Sequence, residues 1–373
     1  MPALRSITAL VVALALASCT GNSQLRTVGR IEIESLLRSR GLEPTHVVVP
    51  YRLSAEMKRW LGERVPKALP GHEDRVLYLS RSLFQSDDFK IEYVRGYTGT
   101  AMEVFETQQA NCLAFTFLFI GMARELGVPA YFLEVRDSEN YRKEGDLIVV
   151  SDHVAVGYGP THDLRIIDFG AREGAPYRRI TLIDDYRAIA MFYSNRGAEE
   201  LRSGRFDQAL DWLRSAVAID PGYAGSWVNL GVARRRSGDI DGAEAAYRAA
   251  LELDLNSTSA LQNLAALLHF RGSEEEALDL LALADRASNR NPYTYLTLGD
   301  LNMRHGRMDE AGRFYRKALR RQGENAESLA AMGLWMLERG DEKGARNWLR
   351  RAESLDPEGD RVLVLRRRLG AET

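Results

Sequence analysis

Residues 227–260 read WVNLGVARRRSGDIDGAEAAYRAALELDLNSTSA, and this 34-residue segment is one period of a pattern that fills the second half of the chain. Its Gly238 has counterparts at Gly204, Gly272, Gly306 and Gly340. Ala243 is matched by Ala209, Ala277, Ala311 and Ala345, and Ala250 by Ala216, Ala284, Ala318 and Ala352. A fourth series, Gly197, Gly231, Ala265, Gly299 and Gly333, keeps the same interval, and bulky knobs recur at Tyr193, Trp227, Leu261, Tyr295 and Leu329. Small residues let two helices approach closely, and a glycine that tolerates positive φ supports the turn between them. Each period therefore reads as helix, tight turn, helix. Five periods predict an all-α solenoid in which each unit buries its apolar face against its neighbours.

The pattern resembles the tetratricopeptide repeat, with Pro221 and Pro357 closing the first and fifth copies. The array spans 189–357, and 358–373 reads as a polar-faced helix that covers the last repeat. Such a stack offers a concave groove, built from the first helix of each pair, to a protein or peptide partner. Asn195, Asn229 and Asn263 share one repeat position on that helix. As in peptide-binding superhelices of this family, an amide ladder there would hold a peptide backbone, although Asn is also the ordinary residue at this position.

With 45% apolar and 27% charged residues, the chain has the composition of a soluble globular protein. Its 50 basic and 52 acidic residues are interspersed, which argues against a nucleic-acid surface. Residues 1–18 stand apart: Arg5 precedes an apolar run at 7–17 that ends in small residues, the layout of a secretory signal. That run falls short of the about 20 residues a membrane-crossing helix needs. Leu16-Ala17-Ser18-Cys19 resembles the lipobox of bacterial lipoproteins, which implies cleavage before an acylated Cys19, a tether over 19–30, and membrane attachment through lipid. Thr20 after Cys19 points, by the sorting rule of enteric bacteria, to the outer membrane of the cell envelope, facing the periplasm.

The chain has two cysteines, so lipidation of Cys19 leaves Cys112 with no disulfide partner and no Cys-based metal site to explain it. Amphipathic helices are expected at 32–40, 54–64 and 72–84, and strands at 130–135, 147–158 and 164–169. Between them an apolar helix over 113–126 begins right after Cys112 and stops at Gly127-Val128-Pro129. A helix start favours an anion, which places Cys112 as a nucleophile. A nucleophilic thiol needs a base, and the base needs a third group to fix its tautomer. Strand alternation puts His153 on one face with Ala155 and Gly157, small neighbours that leave room for a substrate. Asp168 interrupts an apolar strand, a costly place for a carboxylate unless an imidazole satisfies it. Taken singly, the three also read as a core Cys, a sheet His and an ion-pair Asp. His46, His72, His162, His269 and His305 show no metal-ligand spacing, so neither metal nor cofactor is expected.

From about residue 93 to 169 the chain resembles the transglutaminase-like superfamily of papain-like cysteine enzymes. The matching segments are Thr98-Gly99-Thr100-Ala101, Asn111-Cys112-Leu113-Ala114, Ala123-Arg124-Glu125-Leu126-Gly127-Val128-Pro129-Ala130, Asp152-His153-Val154 and Ile167-Asp168-Phe169. The resemblance implies a triad of Cys112, His153 and Asp168 in that order. Asn111 departs from the acidic residue many members carry before the nucleophile, and the calcium-binding loop of the animal enzymes is missing. By position, Gln108 or Gln109 would assist the Cys112 amide in binding an oxyanion.

The expected fold is thus α+β: a papain-like transglutaminase core of helices and antiparallel sheet over 31–188, then an all-α tetratricopeptide solenoid. The function it implies is a membrane-anchored cysteine hydrolase, a peptidase or amidase working through a thioester, with the repeats recruiting a protein or peptide. Two alternatives stand beside it: a non-catalytic lipid-anchored scaffold working through its repeats, and a true transglutaminase that crosslinks or deamidates glutamine.

Overall fold

The computed structural model describes residues 28–370, apart from 44–46, 67–68, 70, 85, 87–88, 95, 145–146, 170–178, 288–291 and 323. The signal sequence 1–18, Cys19 and the tether up to residue 27 lie outside the described residues. The chain divides into two compact units, Met1–Asn140 with Ser151–Ala233, and Tyr141–Val150 with Arg234–Thr373.

The first unit opens with α1 (Arg30–Ser39), α2 (Ala55–Arg64) and α3 (His72–Phe84), followed by β1 (Glu92–Tyr93), α4 (Ala101–Thr107), β2 (Gln109–Ala110) and α5 (Cys112–Glu125). Helix α5 is its centre. Every residue from Leu113 to Ala123 is buried, as befits a helix that is apolar on all sides. A side chain at Gly121 would meet the Tyr51 carbonyl oxygen at 2.4 Å, so the chain approaches the helix there at backbone distance. The helix ends at Gly127, whose φ of 71° turns the chain while Val128 N–H returns to the Ala123 carbonyl.

Strands β3 (Ala130–Glu144), β4 (Leu147–Tyr158), β5 (Arg165–Ile167) and β6 (Arg179–Ile183) form a sheet in the order β5-β4-β3-β6, with β4·β5 and β3·β6 antiparallel. Val154 and Val156 join the core built around α5, whereas Ala155 packs on the other side with Leu133, Val135, Leu164 and Ile166. The room expected beside His153 is therefore filled: a side chain at Gly157 would lie 2.9 Å from Leu133 Cδ1. Those small residues accommodate a leucine, not a substrate.

Next come α6 (Asp185–Arg202), α7 (Phe206–Ile219) and α8 (Ala224–Arg236). The first repeat, α6 with α7, shares the core of the N-terminal unit instead of standing apart from it. Ile189, Phe192 and Tyr193 belong to the same buried cluster as Phe117 and Phe132, with Phe192 5.8 Å from Phe117.

The remaining helices are α9 (Ile240–Leu253), α10 (Thr258–Phe270), α11 (Glu274–Ala287), α12 (Pro292–Arg304), α13 (Met308–Gln322), α14 (Ala326–Glu338), α15 (Glu342–Glu353) and α16 (Asp360–Arg368). Each pair turns at the recurrent glycine, with φ between 72° at Gly204 and 89° at Gly238. Within the second unit, α16 caps the array: Val362 and Leu365 are buried with Leu329 and Ala330, and Arg361 forms a two-pronged ion pair with Asp300. Among the described residues no helix is long and apolar enough to cross a membrane.

Candidate active site

Cys112 is the first residue of α5, half-buried and free. The helix begins there because Asn111 caps it, its side-chain oxygen accepting from Ala114 N–H at 2.8 Å. The Asn111 amide donates to Thr98 Oγ1 at 2.9 Å, and Thr98 N–H donates to Glu199 of α6 at 2.7 Å. The residue before Cys112 is thus a neutral cap tied to the Thr98-Gly99-Thr100 turn. Thr100 and Glu103 form a reciprocal capping box that starts α4, and its sequence signal is a Thr followed three residues on by Glu.

His153 is brought to the helix start by β4. Thr116, one turn into α5, donates its hydroxyl to the Cys112 carbonyl at 2.8 Å and lies 3.3 Å from the Val154 carbonyl, which fixes the strand against the first turn of the helix. Sequence reasoning passed over Thr116; its signal was a hydroxyl in an otherwise apolar helix. The register that pairs Val156 with Ile167 sets Asp168, just past the end of β5, diagonal to His153 on the adjacent strand. Phe169 anchors that end of the strand by stacking on Phe115 at 4.4 Å and on Phe84 at 5.5 Å.

The His153 Nε2 donates to the Asp168 carboxylate, 2.8 and 2.7 Å from its two oxygens, and the side chains are only 14% and 4% exposed. Cys112 lies near enough to His153 to interact with it electrostatically. With Nε2 committed to Asp168, Nδ1 is the ring nitrogen left for the thiol. Burial alone would lower the pKa of His153, but its hydrogen bond to Asp168 and the neighbouring Cys112 outweigh it and hold the imidazole up to about 10. A thiol at a helix start, an imidazole and a carboxylate are therefore brought together, the set of groups that acyl transfer at sulfur would need.

The other anticipated residues are placed differently. Gln108 is the left-handed cap of α4 at φ 55°, and its side-chain oxygen accepts from Lys90 N–H at 3.0 Å, away from the role of an oxyanion donor. Gln109 is exposed on β2. Asn195 is half-buried, but Asn229 and Asn263 are each 1% exposed, and Asn229 donates to Ser194 of α6 at 3.0 Å. Those two amides sit inside the stack, where they do not face a peptide in the groove. His269 and His305, set aside for want of ligand spacing, come together with Glu274. Their signal was their place at the same turn of successive repeats, three and one residues before Gly272 and Gly306.

The comparisons with known proteins concern the repeats. The chain is 26% identical over 182 residues to the CTR9 homolog of Arabidopsis thaliana, covering 48% of this chain and 16% of that protein. It is 28% identical over 172 residues to cellulose synthase operon protein C of Pseudomonas fluorescens, covering 44% and 13%. It thus spans less than a fifth of the length of these two relatives. The solved structure of Pseudomonas aeruginosa pilF is similar at 24% identity and a TM-score of 0.43, over 50% of this chain and 83% of the other. Two tetratricopeptide repeat models match, one over residues 200–268 and the other over 296–360, and the chain carries tetratricopeptide repeats there.

Proposed function

We propose that the chain is a protein-interaction scaffold whose first unit performs cysteine acyl transfer on a protein or peptide held by the repeats. The matched repeats support the interaction half, because a helical-repeat array is a surface for other polypeptides. One observation carries the catalytic half: the hydrogen-bonded pair of Asp168 and His153 beside Cys112 at a helix start. In this reading Cys112 Sγ attacks an amide carbonyl, His153 passes a proton to the departing amine, and Asp168 holds the ring in place. The resulting thioester is resolved by water, which makes the protein a peptidase or amidase of the transglutaminase-like kind. Resolution by an amine would instead make it a crosslinking enzyme. The Leu16-Ala17-Ser18-Cys19 motif favours a lipid tether on the envelope, which would keep the site close to the membrane.

A second reading is a scaffold with a silent site, favoured because the family matches fall on the repeats. A form beginning after Cys19 has Cys112 as its one thiol and separates the two. Iodoacetamide at neutral pH should alkylate it quickly in the parent and several-fold more slowly in His153→Ala, read by intact mass. Equal rates would leave the silent scaffold.

A further inference from the structure

We propose that His269, Glu274 and His305 form a binding site for a borderline divalent transition ion of the zinc class, which staples the third repeat to the fourth. His269 lies in the last turn of α10, Glu274 opens α11 of the same repeat, and His305 follows the last residue of α12 in the next. Their ligand atoms lie within 4.8 Å of one another, and the two rings stand at 70° with centroids 6.5 Å apart.

Two ring nitrogens of the cluster are left without hydrogen bonds. His269 Nδ1 and His305 Nε2 are both shielded from solvent, and neither makes a hydrogen bond. His305 Nε2 approaches Glu274 Oε2 to 2.8 Å without hydrogen-bond geometry, and His269 Nδ1 stays 3.9 Å from Glu274 Oε1. Two imidazole nitrogens and a carboxylate are the donor set of three-ligand zinc sites, whose bonds of about 2.0–2.2 Å bring ligand atoms to about 3.3 Å of each other. Small side-chain rotations would close the present spacing to that value. The side chains are 22%, 44% and 21% exposed, which leaves an entry path and a position for water as fourth ligand.

Arg304 competes with the ion. Its Nη1 lies 2.6 Å from His269 Nε2, so that nitrogen is the acceptor and the neutral ring carries its proton on Nδ1. Coordination through Nδ1 moves the proton to Nε2 and releases the exposed guanidinium to solvent. The ion would add a metal link between two repeats already joined by helix packing, by the Lys317–Asp285 ion pair and by Gln262 with Thr294, so binding should stabilise the folded array further.

The test is zinc titration of the full chain, followed by calorimetry and by thermal unfolding with and without a chelator. The expected result is one equivalent bound with a raised unfolding temperature. His305→Gln and Glu274→Gln should each weaken binding by about tenfold or more while unfolding of the metal-free protein stays near the parent value. His269→Gln serves where either variant folds poorly. Cys112→Ser is the control for zinc captured by the thiol and His153. No binding, or binding that survives all three substitutions and is lost with Cys112→Ser, overturns the proposal.

Discussion

Arg124, at the end of the helix that Cys112 begins, forms a two-pronged ion pair with Asp185, the first residue of the first repeat helix. Nη1 is 2.8 Å from Oδ2 and Nη2 is 2.9 Å from Oδ1. The Tyr51 hydroxyl lies 2.8 Å from the same carboxylate, and the guanidinium sits 5.4 Å over the Tyr51 ring. Helix α6 therefore does two jobs. It starts the repeat array and forms one wall of the unit that carries the candidate site, with Glu199 bracing the Thr98 turn behind Asn111.

Truncation at the boundary that repeat periodicity suggests should fail. A fragment of residues 28–188 loses Ile189, Phe192 and Tyr193 from a buried cluster, and leaves α5 uncovered on that side. A fragment of residues 28–236 keeps them together with Trp212, whose ring lies 5.0 Å from Tyr193. Near-ultraviolet circular dichroism should show fixed aromatic packing and a cooperative melt for the longer fragment alone. A cooperative melt for the shorter one would refute the shared core.

Breaking the Arg124–Asp185 pair from one side should cost more than removing it. With exposures of 13% and 8%, Arg124→Leu strands a buried carboxylate, a loss of about 3–5 kcal/mol. The double variant Arg124→Leu with Asp185→Leu should recover much of it, since neither charge is then left unpaired. Urea unfolding of the parent, both singles and the double variant supplies the cycle. Additive losses would show that the pair is not coupled.

A glycine in the central helix sets how close the chain packs. Gly121→Ala drives a methyl against the Tyr51 carbonyl oxygen at 2.4 Å, a backbone atom that moves only if the segment bearing Tyr51 moves. Helix propensity alone would favour alanine by about 1 kcal/mol, but overpacking costs about 1–3 kcal/mol and reverses the sign. The same measurement decides it: a gain in stability would mean that the segment gives way freely.

The repeats were legible because their signal is periodic: five copies in register fix helix boundaries and turns at once. Cys112, His153 and Asp168 stand out for a different reason, namely helix-start context and strand alternation, and of these His153 and Asp168 are hydrogen-bonded. What stayed hidden depends on partners distant in sequence. Asn229 reads as a groove amide until Ser194 is seen to take its hydrogen bond, and Gly157 reads as open space until Leu133 fills it. The join between the first repeat and the N-terminal unit was hidden likewise, since Asp185 and Arg124 are an ion pair only in three dimensions.

The charge on His153 should appear in the pH dependence of stability. Its pKa rises from 6.5 to about 10 on folding, because Asp168 and Cys112 bind the imidazolium more strongly than burial disfavours it. The folded state then holds this proton more tightly than the unfolded chain, so its contribution is fully present below about pH 6.5 and is lost as the pH rises through about 10. Asp168→Asn removes the anion that holds the proton, which should lower stability at pH 6–7 and flatten the decline between pH 7 and 10. Other groups titrate in the alkaline range in both proteins, so the readout is the difference between their urea midpoints across that window. A difference that narrows with rising pH supports the charged line from Asp168 to Cys112, and parallel curves would mean that His153 is held neutral.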